Sequence, residues 1–247
     1  MAGPKAVWIA GVDGCPAGWI VVFRDLADTE PPQVAVFQRF ADIVDHVRAP
    51  DVVAVDMPIG LPDRAGPGGR GPERLVRPLL GQRQSSVFSV PARCAVEALD
   101  YRAACDAAFA ASDPPRKVSK QTFCLFAKIR EIDQLLRSRP ALLTRVRESH
   151  PEVAFWRMNG FRPLAHPKKI RSRVNPAGMA ERRGLLRDQG LPGALLDHAA
   201  PRGAALDDLI DALAVSVVAA RILRGSAVSF PAPPVRDAHG LPIAIWA

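Results

Sequence analysis

Cysteine is scarce: four residues in 247, at positions 15, 94, 105 and 124, with no C-x-x-C pair and no zinc spacing. A disulfide-built scaffold and a cysteine zinc site are thereby excluded, and free thiols in a cytoplasmic protein are expected. Long apolar runs are missing too. The longest, Ala212 to Ala220, is far short of a membrane span and is closed by Asp211 and Arg221, so no membrane partner is expected. Met1 to Val12 has one lysine and lacks the apolar core and cleavage site of a signal peptide. Aromatics are few, with one Tyr, four Trp and ten Phe, which leaves little for base stacking. No internal repeat is visible. At 48% hydrophobic and 23% charged residues the chain is neither disordered, fibrous nor a coiled coil.

Positive charge is present in excess. The formal charge is +8, and the 33 basic residues divide into 27 Arg and 6 Lys. The guanidinium fork suits phosphate and carboxylate, so an anionic partner is expected. The ordinary alternative is base composition of the genome, since Ala, Arg and Pro are all abundant.

Val7 to Asp13 (VWIAGVD) reads as a buried strand ending in an acid. Gly14 to Gly18 is a turn, and Trp19 to Phe23 returns as the second strand of a hairpin. Val34 to Phe37 is a third strand. Phe40 to Val47 has apolar residues at 40, 43, 44 and 47, the spacing of an amphipathic helix. Val52 to Asp56 (VVAVD) is continuously apolar, as in a central strand covered on both faces. From about 60 to 140 the character changes to a Gly-rich loop followed by helical stretches over Cys94–Ala111 and Gln121–Arg137, an inserted helical cap. Val146 to Glu148 ends a further strand. A basic helix begins near Ala177, Leu206 to Leu223 is a long apolar helix, and Ile243 to Trp246 adds a short edge element. A helix crossover after the three-strand meander makes the next strand parallel to the first. The expected fold class is therefore α/β: one domain with a mixed sheet and helices on both faces.

Acids stand at the ends of these elements: Asp13, Asp56, Glu148, and Asp208 with Asp211 three apart near the start of the last helix. Ends of parallel strands converge on one sheet edge, where ligands of such sheets bind. Carboxylates crowded there repel one another unless a cation neutralises them, and hard oxygen ligands select Mg²⁺ or Mn²⁺. Two such ions about 4 Å apart activate water and steady the leaving oxygen of a phosphodiester. Singly, each acid is equally well read as a turn former or a helix cap.

The motifs GVDGCPAGW (11–19), VDMPIGLP (55–62), SSVFSVPAR (85–93), KIREID (128–133), ESHPEVAFW (148–156) and DDLIDAL (207–213) resemble the domain-of-unknown-function 429 family over nearly the whole chain. That family is regarded as predicted nucleases of the ribonuclease H-like fold. The resemblance implies a five-stranded ribonuclease H-like sheet with metal ligands on the first strand, the fourth strand and the last helix: Asp13, Asp56, and Asp208 or Asp211, favoured over Asp207. Asp13 would bridge two ions. It leaves Glu148 either a ligand or an acid orienting His150, and His150 either a proton shuttle or a turn former.

Arg83 and, on a helix, Lys128 and Arg130 would draw phosphates towards the acids, or else form a solvated face. Lys168, Lys169, Arg171, Arg173, Arg182 and Arg183 form a basic run able to follow a nucleic-acid backbone. No sequence-specific reader is visible, so binding should rest on charge and shape. The leading expectation is a metal-dependent nuclease acting on DNA or RNA. Nucleotide-dependent phosphoryl transfer on the same fold is weakened by the lack of a second phosphate loop. A non-catalytic nucleic-acid-binding role also stays open, because fold does not fix function. A homodimer is left open, with no interface marked by the sequence.

Overall fold

The computed structural model describes residues 5–171 and 173–247. In chain order the elements are β1 (Trp8–Cys15), β2 (Gly18–Asp25), β3 (Gln33–Phe37), α1 (Phe40–Val44) and β4 (Val52–Val55). The insert holds α2 (Gly71–Val76), a 3₁₀ stretch over Arg77–Ser86, α3 (Arg93–Glu97), α4 (Tyr101–Ala110), α5 (Lys120–Phe123) and α6 (Phe126–Ser138). There follow β5 (Val146–Glu148), α7 (Pro151–Met158), β6 (Lys169–Ile170), β7 (Arg173–Val174), α8 (Pro176–Asp188), α9 (Gly193–Leu196), α10 (Leu206–Leu223), β8 (Ser229–Arg236) and β9 (Pro242–Trp246).

The main sheet has the order β3-β2-β1-β4-β5. β1, β2 and β3 form the antiparallel meander, while β4 lies parallel to β1 and β5 parallel to β4. A five-stranded mixed sheet flanked by helices is the arrangement expected, and it is compatible with a ribonuclease H-like fold. No helix among the described residues is long and apolar enough to cross a membrane.

Successive side chains of a strand alternate between faces. On one face Ala10, Val12, Val21, Val53 and Val55 pack in a single core with α1, α3, α4 and α6. Helices α3, α4 and α6 thus pack on one face of the sheet. On the other face Ile9, Val52 and Ala54 meet Val215 and Ala219 of α10, and Ile20 and Val22 meet α8, α9 and α10.

The helical stretch expected over Cys94–Ala111 is broken into α3 and α4, because Ala98 is extended and Asp100 starts the second helix by accepting from the Ala103 amide at 2.9 Å. Gln121–Arg137 likewise divides into α5 and α6. α1 stops at Val44, three residues short. β8 escapes sequence pattern because its eight residues include three prolines. It can be a strand because it pairs only with β9, with an irregular register between Phe230 and Val235.

Gly11 marks the tightest approach. A Cβ there would overlap the Ala212 carbonyl oxygen and the Ser216 amide nitrogen of α10. Gly184, inside α8, has nothing within 4 Å of an added Cβ. Gly11→Ala should therefore lower unfolding free energy by about 3 kcal/mol, while Gly184→Ala should raise it by about 1 kcal/mol. Denaturant melts of the two variants check the opposite signs.

Candidate metal centre

Alternation along the strands decides which acids meet. Asp13 continues the series Ile9, Gly11, and Asp56 continues Val52, Ala54, so both acids belong to the face that α10 covers. The Asp56 amide donates to the Val12 carbonyl at 2.9 Å, which holds the ends of β1 and β4 side by side. Asp211 lies on α10 next to Ala212, the residue that meets Gly11. One carboxylate oxygen from each of Asp13, Asp56 and Asp211 lies within 4.8 Å of the others.

The cluster is deeply enclosed: Asp13 is 8% and Asp211 4% exposed. Burial pushes the Asp13 carboxyl well above its usual range, and Asp56 and Asp211 push it further. Burial also raises Asp56, against His150 and Lys168. Asp211 is pushed up to about 6 by burial, with Lys168 opposing and Asp56 and Glu152 adding. Lys168 is the chief internal counter-charge. Its ammonium bonds Asp211 and lies 3.5 Å from Asp207, while Lys169 sits 2.7 Å from Asp207. Burial disfavours the Lys168 charge, yet the carboxylates more than compensate and hold it protonated far above the ordinary lysine range.

Burial alone would raise Asp207, but its two lysines hold it below the usual range. The two ammonium groups thus pair with Asp207 and Asp211, and no Lys or Arg among the described residues forms an ion pair with Asp13 or Asp56.

The donor set fits a hard divalent cation. Asp211 Oδ1 is buried with no hydrogen-bond partner among the described residues, an uncompensated state that disfavours the carboxylate. Asp13 accepts one amide, from Gly14 at 2.7 Å. Asp56 accepts no side-chain hydrogen bond from the described residues.

The family model described as "Protein of unknown function (DUF429)" matches residues 11–236. The chain belongs to the DUF429 family. No curated protein and no solved structure matches it. The matched span contains all three converging carboxylates of this DUF429 chain.

Other acids go elsewhere. Val146 packs with Val53 and Val55 on the face opposite α10, so Glu148, two residues on, points away from Asp13 and Asp56. Its carboxylate takes both arms of Arg70, at 2.5 and 3.0 Å, and the Ile59 amide at 2.7 Å. Burial pushes Glu148 up to about 7 against that pull. Neither expectation for Glu148, ligand or orienter of His150, matches this placement.

Asp208 caps α10, accepting from the Ala205 amide at 2.8 Å, which leaves Asp211 as the helix's member of the cluster. His150 caps α7: its Nδ1 accepts from the Glu152 amide at 3.2 Å, and its Nε2 faces the Ser86 carbonyl at 3.4 Å. The hydrogen-bond pattern assigns the proton to Nε2. His150 and Arg83 line the cleft beside Asp56.

Lys128 instead donates to the Gly18 carbonyl at 2.7 Å and sits over the Trp19 ring, bracing the β1–β2 turn. Arg130 donates to the carbonyls of Val96 and Ala98 and fastens α3. Arg182, counted with the basic run, is fully buried against Glu152. Sequence reasoning ranked Asp207 below Asp208 and Asp211 and did not single out Glu152. For Asp207 the signal was there: it stands four before Asp211, on the same side of a helix.

Each raised carboxyl binds its proton more tightly in the folded than in the unfolded chain, so stability falls as pH rises from the unfolded value near 4 through the folded value, about 6 for Asp211. In metal-free buffer the melting temperature should therefore fall between pH 4 and 7. Mg²⁺ or Mn²⁺ should reverse the fall at pH 7. Asp13→Asn should raise metal-free stability at pH 7 and remove most of the response to the ion. Thermal melts across pH, with and without the ion, check all three.

Proposed function

We propose that this protein is a divalent-cation-dependent nuclease that hydrolyses phosphodiester bonds in nucleic acid, working in the cytoplasm with its four thiols free. The observation that carries the reading is the convergence of Asp13, Asp56 and Asp211 at the carboxyl edge of the sheet, with an unpartnered carboxylate oxygen on Asp211. These three residues would hold Mg²⁺ or Mn²⁺. Bound there, such cations supply activation of water and stabilisation of the leaving oxygen.

The chain's own residues supply the rest. Lys168, bonded to Asp211 and near Asp207, fixes the helix carboxylates in place. His150, with Nδ1 engaged by the Glu152 amide and Nε2 facing the Ser86 carbonyl, stands at the cleft wall as a donor rather than an acceptor. Arg83 lines the cleft. Lys169 on β6 and the exposed Arg173 on β7 extend positive charge outward from it, where phosphates would be held by charge rather than by sequence.

A panel of labelled DNA, RNA, hybrid and branched substrates with Mg²⁺ or Mn²⁺ tests the reading. Wild type should cleave at least one, and Asp13→Asn, Asp56→Asn and Asp211→Asn should each lose activity by about 10²–10³-fold. Arg173→Ala should weaken substrate binding and make the slope of log K against log salt shallower by about one. Full activity of the three Asn variants would sink the assignment, as would a wild type inert on the whole panel.

A further inference from the structure

Two unequal recesses meet at the carboxylates, with Asp211 lining one, Asp13 the other and Asp56 both. Asp56, Ser85, Ser86 and His150 line both. The recess on the α10 side, about 290 Å³, carries Arg83, Lys168 and Lys169 beside the acids Asp56, Glu152 and Asp211. The recess on the other side, about 340 Å³, has neither Lys nor Arg among its described lining residues, and Asp13 and Asp56 form part of its wall. A second phosphate there would face carboxylates with no cation to meet it.

What the second recess does offer is apolar surface from Met57, Phe88 and Leu125, and the side chains of Ser119, Gln121 and Thr122 around it. The Ser119 and Thr122 hydroxyls bond each other at 2.9 Å, and Ser119 caps α5 by accepting from the Thr122 amide. Gln121 is exposed and its amide makes no hydrogen bond with the described residues, so a donor and an acceptor are available together. No other aromatic ring stacks on Phe88 among the described residues. An uncharged ring with a polar edge is the ligand chemistry such walls suit.

The volume sits near the lower end of small-molecule sites, about 300–1,000 Å³. It admits one nucleoside-sized group. A base pair held in a duplex stack cannot enter without being unstacked, which costs a few kcal/mol.

Resting on the nuclease reading above, we infer that the cation-free recess lined by Phe88 and Gln121 receives one unpaired nucleobase adjoining the scissile phosphate, while the recess that carries Arg83, Lys168 and Lys169 takes the neighbouring backbone. The substrate class is then single-stranded nucleic acid, or an unpaired end or flap, rather than continuous duplex.

Three p-nitrophenyl diesters that release the same leaving group separate this inference from the reading it rests on. They are methyl p-nitrophenyl phosphate and the 3′- and 5′-(p-nitrophenyl phosphate) esters of thymidine, each assayed with Mn²⁺. One thymidine ester should exceed the methyl ester in kcat/KM by about tenfold or more, and which one names the side on which the base lodges. Gln121→Ala and Phe88→Ala should erase most of that advantage through KM and leave methyl-ester hydrolysis unchanged within about twofold. Gln121 is exposed, so its variant keeps the test open if the partly buried Phe88 is needed for folding. An unpaired labelled oligonucleotide should be cut about tenfold faster than the same strand in a duplex. Equal rates on all three esters, or a duplex cut as fast as the single strand, would overturn the nucleobase recess and leave the nuclease reading standing. No hydrolysis of any ester or oligonucleotide would overturn both.

Discussion

Carboxylates brought together out of water repel one another, and nothing in Asp13, Asp56 and Asp211 themselves would keep them within 4.8 Å. The framework holds them. β1 and β4 are tied in parallel register from Ile9↔Val52 to Val12↔Val55, and the Asp56 amide extends the ladder by one bond. α10 is pressed onto the same face where Gly11 has no side chain to keep it off. The two strand ends and the helix are therefore positioned by hydrogen bonding and apolar packing over their whole lengths. The energy of those contacts opposes a repulsion confined to three groups.

Much of the framework was legible in the sequence because it follows from patterns of period two and 3.6. The meander, the parallel crossover strand and the long last helix all lie within a few residues of their expected places. Tertiary competition explains what was not legible. The helix expected over Cys94–Ala111 is broken where Asp100 offers its side chain to a backbone amide and restarts the chain, and the one expected over Gln121–Arg137 divides at Cys124 and Leu125. β8 is a strand by virtue of its partner β9, against its own proline content.

At the site, the sequence could mark acids at element ends but could not say which face each would occupy. Alternation fixes that once one core residue per strand is placed. Val146 belongs with Val53 and Val55, so Glu148 had to fall on the opposite face from Asp13, and there Arg70 meets it. The cations misled for a related reason. Lysine and arginine have long stems that let the charged head satisfy carbonyls or acids some distance from the backbone. Lys128, Arg130 and Arg182 lie in basic stretches, yet each spends its donors within the fold. Lys168 bonds Asp211 itself, which no count of net charge would disclose.

The position of Lys168 also orders the site from within. Together with Lys169 it faces the carboxylates of α10, Asp207 and Asp211. No ammonium or guanidinium group bonds Asp13 or Asp56 among the described residues. The unmatched negative charge is thus concentrated on the two strand ends, the part of the site that packing makes most rigid, while the helix side is neutralised by the protein. A ligand cation placed among the three acids would complete the coordination of carboxylates already held by the sheet, and would share Asp211 with a lysine that fixes its orientation. The same asymmetry separates the two recesses. Lysine and arginine line the recess on the α10 side, beside Asp56, Glu152 and Asp211, and neither lines the other, so a polyanion lying across the carboxylates would have one favourable direction for its phosphates and a cation-free lodging for what they carry.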